Sequence, residues 1–353
     1  MDLGLEVTGR YRYPPPDATW LAQRFEAAID PDLPIVDAHH HLWVEGGAPY
    51  LLDELADDLA SGHRIDATVF VQAHYAHRSD GPVHLRPVGE TEAVARIRKD
   101  ARDRSLATDV AAAIVGLADL TLGDAVEEVI DTHLVAAPGA FRGIRHSVSR
   151  DEHFPDGIVI RPAPANLLGD DRYREGLTVL ARRGLSYDAM LYHSQIDELT
   201  ACAAALPDLP VVLDHYGGIL GVGPYAGRPP ELFDRWRASM ARLAEHPNVS
   251  VKLGGLGMII CGPTWHEGSL PPTSAQLADD WRPYFETTVE LFGANRCMVE
   301  SNFPVDKAMW SYVILWNAFK RLAAGASDSE KTALFSGTAR RFYRIAAGSD
   351  GRQ

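Results

Sequence analysis

From Pro34 onward the chain alternates short, unbroken apolar runs with longer amphipathic ones. The short runs are Ile35–His39, Ala67–Gln72, Ala111–Leu117, Phe141–Ser147, Leu185–Leu191, Val211–His215, Val249–Leu253 and Cys297–Asn302. Continuous apolar stretches of about 5–7 residues are what parallel strands show when both faces are covered. Helical periodicity fills the gaps, over Leu51–Ser61, Thr91–Arg104, Asp124–Val135, Tyr173–Arg183, Ile196–Leu206, Glu231–His246, Ala275–Phe292 and Ala308–Ala324. Gly184 and Gly293 stand just past two of these runs, where a helix end takes a left-handed glycine. The pattern predicts an α/β fold: a single (β/α)8 TIM barrel over residues 34–346. A doubly wound open sheet alternates in the same way, but eight units in this length favour closure.

Three pieces fall outside the repeat. Met1–Leu33 reads as an N-terminal arm with a short helix around Trp20–Ile29. Gly217–Pro230 and Gly254–Pro272 are too rich in glycine and proline for regular elements and read as long βα loops able to act as lids. A last helix near Ser327–Arg344 caps the barrel. Nothing in the chain reads as a linker between two domains.

Composition narrows the partners. The 353 residues carry a formal charge of −14, which argues against a nucleic-acid or anionic-membrane partner. A small-molecule substrate remains open, because one local arginine suffices to make a cationic pocket. Cys202, Cys261 and Cys297 are far apart and suggest neither a disulfide framework nor a thiolate zinc site. No apolar run approaches the roughly 20 residues that span a bilayer, so a cytoplasmic protein is expected. The arm could bridge the subunits of a homo-oligomer.

The chemistry concentrates at strand ends. Asp37-Ala38-His39-His40-His41 ends the first strand. Alternation would point Asp37, His39 and His41 to one face, at the barrel end where active sites form. Two imidazoles there can hold one metal ion or one substrate. Arg142 and Arg145 end the fourth run, and arginine offers a planar fork for a carboxylate. Lys252 lies inside an apolar strand, which is unusual unless it is paired; it neutralises Glu300 or orients substrate. Glu300 and Asn302, two apart, should both face the interior.

These motifs resemble the amidohydrolase superfamily, most of all the branch of sugar-lactone and pyrone-dicarboxylate lactonases. The resemblance rests on Ile35-Val36-Asp37-Ala38-His39-His40-His41-Leu42-Trp43, Phe141-Arg142-Gly143-Ile144-Arg145, Leu213-Asp214-His215-Tyr216-Gly217, Val251-Lys252-Leu253 and Glu300-Ser301-Asn302-Phe303-Pro304. It implies that His39, His41 and His193 are ligands of one divalent ion, zinc or manganese, in the metal-dependent members. In the metal-free lactonases the histidines bind substrate instead. It also implies that His215 polarises the scissile carbonyl or assists proton transfer, and that Arg142 and Arg145 bind an acidic group.

One position departs from the family. Asn302 stands where an aspartate usually serves as base, and an amide has no useful basicity. Glu300, one pleat deeper, or Asp306, four residues on, could supply the carboxylate. A hydrolase cleaving a small, carboxylated or neutral, cyclic ester is therefore one expectation. A non-oxidative decarboxylase or hydratase, which needs no base at that position, is the other.

Overall fold

The computed structural model describes residues 14–45, 48–153 and 162–346. Eight strands form one sheet: β1 (Ile35–His40), β2 (Ile65–Val71), β3 (Asp109–Gly116), β4 (Phe141–Ile144), β5 (Ser186–Ala189), β6 (Val211–Leu213), β7 (Val249–Leu253) and β8 (Cys297–Val299). They pair in parallel and in chain order. The sheet closes just past β8. There His40 bridges Phe303, the His41 N–H donates to the Phe303 carbonyl at 2.7 Å, and the Asn302 N–H donates to the His39 carbonyl at 2.9 Å. The fold is thus a (β/α)8 barrel.

All eight apolar runs hold strands, but several stop short. Phe141–Ser147 leaves the ladder after Ile144, Val211–His215 after Leu213, and Cys297–Asn302 after Val299. The residues lost from the ladder include the polar Arg145, Asp214, His215 and Glu300, whose side chains pair with one another, and Asn302, which turns to Asp306. The amphipathic runs become helices on the outside. One begins late: Val305–Ala308 forms a separate 3₁₀ turn, and the helix expected from Ala308 starts at Tyr312.

The arm differs from expectation. Its helix is Ala18–Leu21, capped by Asp17, whose carboxylate accepts the Thr19 and Trp20 N–H groups. The arm is tied to the barrel by hydrogen bonds of its own. The Ile29 N–H donates to Asn317 at 2.8 Å, Arg24 to the Pro271 carbonyl and Trp20 to the Gly268 carbonyl. The part of the arm before Pro14 lies outside the described residues. A small hairpin of Trp43–Glu45 and Ala48–Tyr50, not evident from the pattern, follows β1.

Two apolar layers hold the barrel. Outward residues such as Ile35, Phe70, Ile114, Phe141 and Val249 pack against the helices. Val36, Ala38, Val69, Ala113, Val212 and Met298 fill the lumen, stoppered by Ala339, Tyr343 and Ile345. Helical segments Asp328–Thr332, Ala333–Gly337 and Thr338–Phe342 carry this stopper, with Ala339 in the last of them and Tyr343 and Ile345 just after it. Each large side chain so buried contributes about 1.5–3 kcal/mol. No helix among the described residues is long and apolar enough to cross a membrane.

Alternation fails at one informative place. The β1–β2 register shifts between Asp37 and His40, so Asp37 does not share a face with His39 and His41 as a regular strand would require. Its carboxylate instead accepts the Ser301 N–H at 2.8 Å and the Tyr312 hydroxyl at 2.9 Å. Asp37 thereby ties β1 to the chain after β8 and to the helix outside, and burial pushes its pKa up to about 6.

Candidate active site

The irregular end of β1 aims two imidazoles inward. His41 Nδ1 lies 2.7 Å from the Val71 carbonyl. A carbonyl can only accept, so Nδ1 carries the hydrogen and Nε2 of the neutral ring is bare. That nitrogen is 3.1 Å from His39 Nε2. Burial first, then the neighbouring His39, holds the His41 pKa well below its ordinary value. For His39, burial and then Lys252 also lower it.

A second pair stands beside the first. His215 follows β6 and is at positive φ, as is Tyr216, a strained backbone of the kind found at functional sites. His215 Nδ1 lies 2.6 Å from Glu300 Oε1, and the other Glu300 oxygen lies 3.1 Å from His39 Nδ1. One carboxylate thus bridges two histidines, all of them buried. Burial alone would raise the Glu300 pKa, but His215 and His39 pull it down to about 2. Burial alone would lower the His215 pKa, but the Glu300 carboxylate raises it. Since Glu300 takes the Nδ1 hydrogen, Nε2 is the bare nitrogen of neutral His215.

The loop after β7 lies flat on these groups. A Cβ on Gly254 would sit 2.3 Å from Glu300 Cγ, one on Gly255 2.4 Å from His215 Cγ, and one on Gly257 2.7 Å from Asp306 Cγ. The start of Gly254–Pro272 is therefore a wall of the site. The Gly257 N–H donates to Asp306 at 3.0 Å, and the Asn302 amide donates to its other oxygen at 2.9 Å. Burial still pushes the Asp306 pKa up to about 7.

Beneath lies a buried charge network. Lys252 Nζ is 2.7 Å from Asp188 Oδ2, 3.0 Å from Asp214 Oδ1 and 3.2 Å from His39 Nδ1. Burial would lower the Lys252 pKa, but Asp188 and Asp214 raise it. Burial would raise the Asp214 pKa, but Lys252 and His39 hold it well below the carboxylate range. The sequence pattern gives neither acid a role, although Asp188 is a lone charge in an apolar strand, as Lys252 is. Buried opposite charges need each other, and that signal could have paired them.

The remaining expected residues divide. Arg145 joins the site, with Nη1 3.3 Å from His39 Nε2 and 3.7 Å from Asp214, a further bond to the Gln72 carbonyl, and a buried Nε without a hydrogen-bond partner. Arg142 does not join it. Its side chain turns away and donates to the Tyr343 carbonyl at 2.7 Å and the Phe141 carbonyl at 3.1 Å. His193 sits in another cluster: its Nδ1 faces the Leu220 N–H and its ring packs edge-on to Tyr225. Asn302, at positive φ, serves as donor to Asp306. His40, bonded to Thr68, points away from the site.

The residues fit a divalent ion. His39, Asp214 and His215 each offer a ligand atom within 4.8 Å of the others. Both Asp214 oxygens are buried without an aligned hydrogen-bond donor. A carboxylate with open lone pairs between two imidazoles is a donor set that zinc accepts. Lys252, 3.0 Å from one of those oxygens, competes for the same lone pair. His41 Nε2 is a further nitrogen in reach of His39.

The chain resembles known proteins over most of its length. An amidohydrolase family profile matches residues 36–345. An uncharacterised protein of Sinorhizobium fredii is 34% identical over 328 residues, covering 89% of this chain and 99% of that one. An L-fucono-1,5-lactonase of Burkholderia ambifaria is 27% identical over 330 residues, covering 88% of this chain and 95% of that one. Among solved structures, an amidohydrolase of Burkholderia multivorans with bound zinc superposes with a TM-score of 0.68 at 24% identity, covering 88% of this chain and 99% of that one.

Proposed function

The chain belongs to the amidohydrolase family, and on that premise we propose that it hydrolyses a small, hydroxyl-bearing lactone. The carrying observation is the His215–Glu300 pair at 2.6 Å beside the His39–His41 pair. A histidine oriented by a buried carboxylate is a general base whose imidazolium the carboxylate stabilises. His215 Nε2 takes a proton from water as it attacks the ring carbonyl. The bond to the ring oxygen then breaks, and the proton on His215 passes to that leaving oxygen, directly or by relay through Asp306, which is largely neutral below about 7. A divalent ion would be held by His39 and Asp214, with His215 Nε2 left free for the proton, and would supply polarisation of the carbonyl and acidification of water. The position of Asn302 then needs no base, because Glu300 has taken over the carboxylate's place and His215 the proton.

Charge supports a neutral lactone over a carboxylated one. Among the described residues, the carboxylates of Asp188, Asp214 and Glu300 outnumber the permanent cations Lys252 and Arg145 around His39. Arg145 is committed to barrel groups and keeps one buried N–H, at Nε, without a partner. With both Nη groups already bonded within the barrel, the guanidinium is less able to give a carboxylate its two-pronged grip. The lactonase named among the relatives acts on a lactone of this neutral kind.

The test is a panel of five- and six-membered lactones, neutral and carboxylated, followed by acid release in ¹⁸O-labelled water. One labelled oxygen per ring opened, with neutral hydroxylated lactones faster by at least about tenfold, supports the reading. Carbon dioxide release from a carboxylated ring, without labelled product, replaces it with decarboxylation, the activity that an asparagine at position 302 would permit.

A further inference from the structure

Tyr343 is the last large side chain of the stopper that closes the barrel from the strand-start end, and it is fully buried. Its ring packs in the lumen with Val36, Val69 and Met298. Its hydroxyl does something packing does not require: it donates to Asp188 Oδ2 at 2.6 Å. The same oxygen takes Lys252 Nζ at 2.7 Å, while the Ser186 hydroxyl donates to the other Asp188 oxygen at 3.2 Å. Lys252 in turn reaches Asp214 and His39. A chain of direct contacts therefore runs from the C-terminal segment through the barrel floor to the imidazoles.

The contacts decide where the lysine charge sits. Asp188 and Asp214 compete for one ammonium. Every hydrogen bond that Asp188 accepts from elsewhere spreads its charge and weakens its pull on Lys252. Removing the Tyr343 hydroxyl leaves Asp188 Oδ2 to Lys252 alone among the described residues and draws the ammonium toward the floor. His39 Nδ1 and the oxygen of Asp214 then lose their cation.

We infer that Tyr343 is a positioning residue for the active site: through Asp188 it fixes Lys252 against His39 and Asp214. This rests on the reading that the histidines around Glu300 are the reacting groups. The C-terminal segment is then part of the site's construction as well as the barrel's stopper.

The test is Tyr343→Phe, which keeps the ring in the lumen and deletes only the hydroxyl. Tyr173→Phe is the control, another buried tyrosine, whose hydroxyl bonds Tyr187 and the His146 carbonyl and has no contact with Lys252. Protein labelled with ¹⁵N at histidine reports directly on the imidazoles, His39 being assigned by loss of its signals in His39→Gln. Tyr343→Phe should move the His39 ring-nitrogen resonances and leave those of His63 in place, whereas Tyr173→Phe should move neither. On the best lactone of the panel, Tyr343→Phe should lower kcat about tenfold, the worth of one hydrogen bond to a charged group, with KM unchanged. An unmoved His39 signal with lowered thermal stability alone would overturn the inference and leave Tyr343 a packing residue. The spectrum needs no substrate, so failure of the lactonase reading and failure of this one are read separately.

Discussion

Two clusters in this barrel are made of the same parts and are built to opposite ends. The inner one sets Glu300 and Asp214 among His39, His215 and Lys252 at the strand ends. The outer one sets Asp151 among His153, Ser194 and Tyr225, with His193 packed on Tyr225, in the loops after β4, β5 and β6. In the outer cluster Asp151 is saturated. One oxygen takes the His153 N–H and ring nitrogen, and the other takes the Ser194 and Tyr225 hydroxyls. In the inner cluster both Asp214 oxygens and one Glu300 oxygen have no aligned donor. Chemistry needs lone pairs held rigidly and left open, and a carboxylate whose lone pairs are all used is a clamp between loops. The presence of histidine and acid does not separate the two clusters, but satisfaction does.

The largest effect belongs to the carboxylate that bridges the inner histidines. Glu300→Gln preserves shape and can still meet His215, but it removes the charge that makes His215 a base. It should lower kcat by about 10³–10⁴ with little change in KM, the scale of losing a dyad's acid. Initial rates on the best lactone, with far-UV circular dichroism to show the fold intact, check this. Retained turnover would erase the distinction between the clusters.

Next comes Asp214→Asn. It converts the open carboxylate into an amide and relieves Lys252 of one partner. Divalent-ion affinity, measured by calorimetry on metal-stripped protein, should fall at least about tenfold. Asp151→Asn should leave that affinity unchanged.

How much of this was legible follows from the same contrast. The strands were legible because covered parallel strands must be continuously apolar, as in Val211–Leu213 and Val249–Leu253. His39, His41, His215 and Glu300 were legible because a polar residue ending such a run has few other reasons to be there. Arg142 lies near the start of β4, where it meets the stopper at the Tyr343 carbonyl, whereas Arg145 lies just past the other end of that strand, where the site forms. Asp37 misled for a related reason: a register shift in β1 is invisible to strict alternation. The resemblance makes His193 a metal ligand, but the structure sets it against Leu220 and Tyr225, partners far away in sequence that decide the loop geometry after β5. Asp214 was overlooked beside its histidine neighbour, although its open oxygens now mark it as central.

Glu90 lies between the two classes and sharpens the rule. One oxygen accepts the Ala73 and Tyr75 N–H groups, and the other is buried without a partner. Unlike Glu300 it has no histidine against it, so burial wins and its pKa rises from an ordinary 4.5 to about 7. A raised carboxyl stabilises the fold fully below its unfolded value and loses that contribution as pH climbs through the folded value. Global stability should therefore decline between about pH 4.5 and about pH 7, partly through Glu90. Glu90→Gln keeps the accepting oxygen and removes the buried charge. In urea titrations it should flatten that slope and add up to about 3 kcal/mol at pH 8. An unchanged slope would mean that Glu90 stays ionised, held by Arg145.

The smallest effect is expected in the outer cluster, and it discriminates best. Asp151→Asn leaves a carbonyl oxygen for two donors but turns an N–H₂ toward the others, so about 1–2 kcal/mol of loop stability should be lost. If the cluster only clamps loops, kcat stays within about threefold, while KM rises because substrate meets a less ordered wall. If instead Asp151 and His193 reach the reaction, kcat should collapse as it does in Glu300→Gln. A saturated carboxylate would then have proved as reactive as an open one, and open lone pairs would no longer tell a site from a clamp in this barrel.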